Sequence, residues 1–324
     1  MILKVDATPA FLAVVGCTAA GKSALAMRVA RELDGEIVAM DSRQLYLGMD
    51  IGTAKATPEE RVLVPHHGLD IREPDERYGA GEFARDARRW IAEIRGRERV
   101  AILVGGTGFY LRALTDPPFA EPPLEEAGRS AIEAALAAMP VAEVRRWSQA
   151  LDPGRAGPGS DDGGRQRMTR RITVALLTGR ALSWWHSHRP SDGRGLLGTV
   201  FLVRVPRELL GGRIERRVDA MMRAGLPGEV ERLLQAGYRP GDAGMDAVGY
   251  REVASHLAGE ISLDEAVGMI VRATRQYAKR QRTWFRHQLG GGAIVVDGTA
   301  PLEEQAELVV RHWRMDMAAE AITT

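Results

Sequence analysis

The chain has 324 residues, of which 45% are hydrophobic and 27% charged, with a formal net charge of +1. That length suggests roughly two domains with a substantial core, and the composition is ordinary for a soluble globular protein. Its single cysteine, Cys17, excludes an internal disulfide and a cysteine-cluster metal site, and no charged leader or apolar run of the roughly 20 residues needed to span a bilayer appears, so a cytoplasmic chain without membrane association is expected.

Residues 11–15 form an apolar run that reads as the first strand. A helix follows over about 22–33, with Leu25, Val29 and Leu33 at four-residue spacing. Between them stands Gly16-Cys17-Thr18-Ala19-Ala20-Gly21-Lys22-Ser23, the GxxxxGK[ST] spacing of a phosphate-binding loop in its proper strand–turn–helix context. Glycines let the backbone form a nest whose N–H groups point at phosphate oxygens, and the helix adds its positive end. Lys22 can supply charge to an outer phosphate, and the Ser23 hydroxyl can ligate Mg²⁺. The candidate phosphate contacts are therefore Gly16, Thr18, Ala19, Ala20, Gly21, Lys22 and Ser23.

A second strand over 36–40 ends in Asp41-Ser42-Arg43-Gln44-Leu45-Tyr46. Ligands in open α/β sheets sit beyond the carboxyl ends of strands, so Asp41, taken to end a strand next to the loop strand, should face the same crevice. A carboxylate there can ligate metal through water or act as a base. His66 and His67 are expected to be loop residues near the site and not metal ligands. After a helix at about 80–95 comes a strand over 100–104, which ends in Gly105-Gly106-Thr107-Gly108-Phe109-Tyr110. NTP-hydrolysing proteins usually place a Mg²⁺-holding aspartate at that strand end. Glycines and a threonine here argue against ordinary ATP hydrolysis, while Thr107 offers a hydroxyl donor and acceptor.

Four prolines between Thr115 and Pro123 read as a hinge out of the core. Helices are expected at about 124–139, 141–150 and 165–178, with Trp184 and Trp185 packing a helix end, before a strand returns over 199–205. The organisation expected is an α/β core in two parts, 1–116 and 199–324, with a mostly helical insertion at 117–198. From Arg213 a helix turns Ile214, Val218, Met221 and Met222 inward, and Arg213 and Arg217 lie one turn apart on another face. A basic helix over 268–288 packs through Ile270, Thr274, Tyr277, Gln281 and Trp284, projecting Arg275, Lys279, Arg282 and Arg286. A short strand, 293–296, and a closing helix complete the chain.

Charge is distributed unevenly. No acidic residue falls between Asp162 and Asp192, where Arg165, Arg167, Arg170, Arg171, Arg180 and Arg189 lie; nor between Glu265 and Asp297, which enclose the basic helix. One-sign blocks in a nearly neutral chain suggest a polyanionic partner.

These motifs together resemble those of the tRNA dimethylallyltransferases (tRNA isopentenyltransferases) of bacterial type. The matching stretches are GCTAAGKS at 16–23, DSRQLY at 41–46, MDIGTAK at 49–55, GGTGFY at 105–110, RIERRVDAMMRAGL at 213–226, AVGYRE at 247–252 and TRQYAKRQRTWFR at 274–286. Within the insertion Arg165, Gln166, Arg167, Arg170 and Leu177-Thr178-Gly179 fit, whereas Gly164 and Thr173 stand where acidic residues would be expected. The resemblance implies a P-loop NTPase-like parallel sheet flanked by helices. It also implies transfer of a dimethylallyl group from dimethylallyl diphosphate, held by the loop and Mg²⁺, to N6 of the adenosine 3′ to a tRNA anticodon. Asp41 would be the general base, Thr107 would orient the diphosphate or the amine, and Gln44 would read the adenine edge. Asp41, Ser42, Arg43 and Gln44 would contact the tRNA, as would Arg129, Gln166, Arg167, Met168, Thr169 and Arg170 in the insertion. Arg217, Arg275, Lys279 and Arg282 would hold the anticodon stem-loop, and a monomer is expected.

Three alternatives stand beside this reading: a small-molecule kinase, a non-catalytic RNA-binding module, and prenyl transfer to free adenine nucleotides. The first leaves the basic blocks unexplained, the second the phosphate loop, and the third the large basic insertion.

Overall fold

A computed structural model describes residues 9–116, 124–153, 164–188, 195–289 and 291–321, the side chains of the last three excepted. The chain divides into two compact units, 1–115 with 195–324, and 116–194. In the larger unit the order is β1 (Phe11–Gly16), α1 (Lys22–Glu32), β2 (Gly35–Ala39), α2 (Pro58–Leu63), β3 (His66–His67), α3 (Ala80–Gly96), β4 (Val100–Gly105) and α4 (Gly108–Thr115). The smaller unit contributes α5 (Glu126–Ala138), α6 (Val141–Leu151), α7 (Gly164–Thr178) and α8 (Leu182–His188). The larger unit then resumes with β5 (Gly198–Arg204), α9 (Arg207–Arg223), α10 (Leu226–Gln235), α11 (Tyr250–Leu257), α12 (Leu263–Gln288), β6 (Ile294–Asp297) and α13 (Leu302–Ala321).

Six strands form one parallel sheet in the order β3-β2-β4-β1-β5-β6. β1 is central and wholly buried, as a parallel strand covered on both faces must be. Alternate residues of each strand serve opposite cores. Leu12, Val14, Ile102 and Val203 pack with α1, α9, α10 and α13, while Ala13, Val15, Leu103 and Leu202 pack with α3 and α4. α12 reaches both cores, through Ile270 and Ala278 on one side and Phe285 on the other.

Two expectations are corrected. β2 is not the neighbour of β1, because β4 lies between them. His66 and His67 are not loop residues: they pair with Ile37 and Val38 as a two-residue edge strand. His67 Nε2 lies 2.7 Å from Glu36, which also accepts from Arg97, so adjacent histidines serve opposite sides of the strand. Although burial opposes ionisation of Glu36, its bonds from Arg97 and His67 hold that carboxyl at about 2.

The smaller unit has its own core of Leu136, Val144, Met168 and Ile172. Trp185 Nε1 donates to Thr178 at the end of α7 (3.0 Å), and Trp184 stacks on His188 at 4.6 Å. Both tryptophans therefore pack helix ends.

α12 begins at Leu263, ahead of the expected 268, because Ser262 and Glu265 form a reciprocal capping box. Ser262→Ala is expected to lower stability in urea unfolding by about 1 kcal/mol.

Candidate functional site

The phosphate-binding loop closes the carboxyl end of β1. Gly21 has φ 95°, a left-handed conformation that favours glycine, and serves as N-cap of α1. A cavity of about 550 Å³ opens over the loop, lined by Thr18, Ala19, Gly21, Lys22 and Ser23, with Asp41, Gln44, Thr53, Lys55, Arg213 and Arg217 around them. Met27, Ile37, Ala39 and Val104 supply an apolar wall.

Lys22 Nζ donates to the Cys17 carbonyl at 2.8 Å. Burial lowers its ammonium to about 8; the Cys17 thiol and the Asp41 carboxylate pull it back up, and Arg217 pushes it further down. Burial likewise lowers Arg217, with Asp41 opposing. Burial pushes the Cys17 thiol up, so this cysteine is a packed filler of the loop.

Asp41 reaches this cavity although β4 separates β2 from β1. At Gly105 an added Cβ would stand 1.8 Å from the Met40 carbonyl oxygen, so glycine there lets the end of β2 cross the end of β4. Asp41 Oδ1 accepts from Arg43 N–H (2.9 Å), and Ser42 N–H donates to Thr107 Oγ1 (3.1 Å), tying the two strand ends together. The Arg43 guanidinium donates to the Ala243 carbonyl.

The segment 49–55 forms the opposite wall. Gln44 Nε2 donates to the carbonyls of Thr53 (3.2 Å) and Ala54 (3.0 Å), and Arg217 donates to Thr53 at 3.3 Å. Buried Glu229 of α10 holds this segment from behind, accepting from the N–H groups of Asp50, Ile51 and Gly52 at 3.0, 2.8 and 3.1 Å. The Tyr250 hydroxyl also donates to Glu229 (2.6 Å), and burial with that carboxylate drives the phenol far above its ordinary range. Lys55, its side chain wholly buried, pairs with Asp50 (2.7 Å) and Asp70 (2.6 Å). Burial opposes ionisation of Asp70, yet bonds from Lys55 and Arg61 keep its carboxyl low.

The residues singled out in the sequence do not all converge. Gly16, Thr18, Ala19, Ala20, Gly21, Lys22 and Ser23 form the loop, with Asp41, Gln44 and Arg217 across the cavity and Thr107 bonded at its edge. Lys279 and Arg282 lie exposed on α12, whereas Arg275 is ion-paired to Glu215 of α9. In the smaller unit Gln166, Arg167 and Arg170 are exposed on α7 and Thr169 is half-buried. Met168, between them, has its side chain buried in that unit's core. Arg129 is paired with Glu133 at 3.0 Å. Thr173 lies on the buried face of α7, where a carboxylate would need its own partner. Sequence reading passed over Glu229, Lys55 and Tyr250; the last two stand in quoted motifs, and their buried partners supplied no local signal.

Among the described residues no group of three or more His, Cys, Asp or Glu side chains could hold a metal ion, and no helix is long and apolar enough to cross a membrane. The fold and this cavity define an α/β protein of the phosphate-binding-loop class with an acid on a strand other than the usual one. The chain belongs to the IPP transferase family, whose model matches residues 44–288. A tRNA dimethylallyltransferase of Geobacter metallireducens is 47% identical over 277 residues, covering 84% of this chain and 88% of that protein. One of Halorhodospira halophila is 43% identical over 299 residues, 90% of this chain and 94% of the relative. Among solved structures, the tRNA isopentenylpyrophosphate transferase of Bacillus halodurans matches with TM-score 0.67 at 32% identity, covering 96% of this chain and 99% of that one. A eukaryotic dimethylallyltransferase solved acting on tRNA, at 23% identity and TM-score 0.75, covers 97% of this chain and 79% of its own and shares the fold.

Replacing Glu229 with alanine strands three backbone donors and a buried phenol, so Glu229→Ala should cost about 3 kcal/mol or more in urea unfolding.

Proposed function

We propose that this chain is a tRNA dimethylallyltransferase, transferring the dimethylallyl group of dimethylallyl diphosphate to N6 of the adenosine 3′ to the anticodon. The observation that carries the reading is the meeting of Lys22, Arg217 and Asp41 in one cavity over the phosphate-binding loop. Two cations disfavoured by burial suit an anion, and a carboxylate opposite them suits a proton. In the reaction the amine nitrogen bonds to C1 of the prenyl group while the C1–oxygen bond breaks and the electron pair leaves on diphosphate.

Loop N–H groups, Lys22 and Arg217 stabilise the charge developing on that leaving group. Adenine N6 is a poor nucleophile because its lone pair is delocalised, and Asp41 takes the proton that the amine loses. Gln44 has its amide nitrogen committed to the Thr53 and Ala54 carbonyls, so its oxygen is the end offered to the adenine amino group. Thr107, bonded to Ser42, orients the groups that meet at the strand ends. A stacked loop base is out of reach, so the adenosine must be everted into the pocket.

The hydroxyl of Ser23 is a hard oxygen donor lining the cavity. It fits Mg²⁺, which favours one or two protein oxygens completed by substrate phosphates. Held there, the ion would supply positive charge to the diphosphate, leaving Asp41 free for the proton.

Lys279 and Arg282 of α12, and Gln166, Arg167, Thr169 and Arg170 of α7, supply the polar and cationic contacts for the anticodon stem-loop. Arg275 joins them by exchanging its Glu215 partner for phosphate. A monomer in the cytoplasm satisfies this reading, since every group it uses comes from one chain.

Radiolabelled dimethylallyl diphosphate offered with tRNA, with AMP and with neither tests the proposal; label should pass to tRNA alone. Asp41→Ala should lower turnover by ~10²–10⁴-fold with tRNA affinity nearly intact, and unaltered turnover would remove Asp41 from the base role. Because the charged form of Lys22 binds the diphosphate, affinity for dimethylallyl diphosphate should hold below pH of about 8 and fall above it, by up to about tenfold per pH unit for one proton. Calorimetric titration across roughly pH 7–9 measures this, and Lys22→Ala should abolish the dependence. Lys279→Ala with Arg282→Ala should weaken tRNA binding and reduce its salt slope by about 2.

A further inference from the structure

Gln281 has no place in the proton or phosphate chemistry above, yet it is among the few polar side chains buried in the larger unit. Its Oε1 accepts from the Thr18 N–H of the phosphate-binding loop at 2.8 Å, and its Nε2 donates to the Gly106 carbonyl at 3.0 Å. One planar amide thus spans the end of β1 and the end of β4 from a helix far away in sequence. The space for it is made by glycine: a Cβ at 106 would stand 2.1 Å from Gln281 Nε2. The contact also means that Thr18 N–H already has a partner, so this amide of the loop is turned away from any phosphate.

We infer that Gln281 is a positioning residue, a strut that sets the separation between the leaving-group cradle and the Gly106–Thr107 strand end. Its amide plane is short and rigid, and both of its ends are used. Alternative side chains of similar size lack either the donor or the acceptor. For a reaction whose rate depends on where the amine sits relative to C1, a displacement of about 1 Å costs on the order of 10²-fold. The strut acts on the transfer step and not on substrate capture: loss of Gln281 frees the Thr18 N–H for a phosphate oxygen while releasing the Gly106 carbonyl beside Thr107. The rate readout rests on the proposed prenyl transfer, whereas the exchange readout below does not.

The experiment compares wild type with Gln281→Leu and Gly106→Ala, the second of which displaces the glutamine without deleting it. Hydrogen–deuterium exchange is read on peptides covering 16–23 and 105–110, alongside kcat, KM for dimethylallyl diphosphate, and Kd for an anticodon stem-loop. Expected in both variants is faster exchange of the two peptides together, by about tenfold. Also expected is a kcat lowered by about 10–100-fold with KM and RNA Kd each within about threefold of wild type. Wild-type protection in either peptide overturns the inference. So does a kcat that falls in step with RNA affinity and Tm, the pattern of a merely structural glutamine. Wild-type enzyme that labels no tRNA would defeat the proposed function, and the exchange result would still decide whether the strut exists.

Discussion

β4 lies between the strand that carries the phosphate-binding loop and the strand that ends at Asp41, so the acid and the cradle can meet only by passing over a third strand end. Any side chain at 105 would collide with the Met40 carbonyl, and one at 106 would displace the Gln281 amide. The bare backbone of these two residues therefore lets Asp41 and Lys22 line one cavity, with Thr107 tied to its edge through Ser42. Other groups of the site depend on that crossing. The Ser42–Thr107 bond holds it, and the segment 49–55 closes the cavity from the other side, pinned by Glu229.

Electrostatics complete what the crossing allows. In the cavity Lys22 and Arg217 are both disfavoured as cations by burial, and each is favoured by Asp41. One carboxylate serving two desolvated cations leaves positive charge uncompensated, which gives the cavity a standing preference for a multiply charged anion. An NTP-hydrolysing site ends its middle strand in an acid, and here that position is a glycine.

Much of this was legible in the chain itself. The loop at 16–23, the strands at 11–15 and 100–104 and the basic helix declare themselves through local patterns of period, glycine spacing and charge. What was not legible depends on partners distant in sequence. Strand order is set by packing across the sheet, so the neighbour of β1 could not be read from the residues of β2. Arg217 meets Thr53 across 164 positions, Glu229 meets Asp50 across 179, and Gln281 meets Thr18 across 263. Met168 looked like one residue of an RNA-facing run, but helical period turns it inward while Arg167 and Arg170 stay outside. α10 opens on Pro227 and Gly228, residues that by themselves suit a turn as well as they suit the first turn of a helix.

The histidine pair at the sheet margin has a consequence for self-association. Strand margins with many free amides and carbonyls recruit other chains and seed fibrils. β3 is only two residues long and follows Pro65, which has no N–H to give. A passing segment would find almost no ladder to extend on that flank, and the half-exposed Arg97 guanidinium beside it adds hydrated charge. This border of the sheet is thereby protected against polymerisation, without a covering helix being needed.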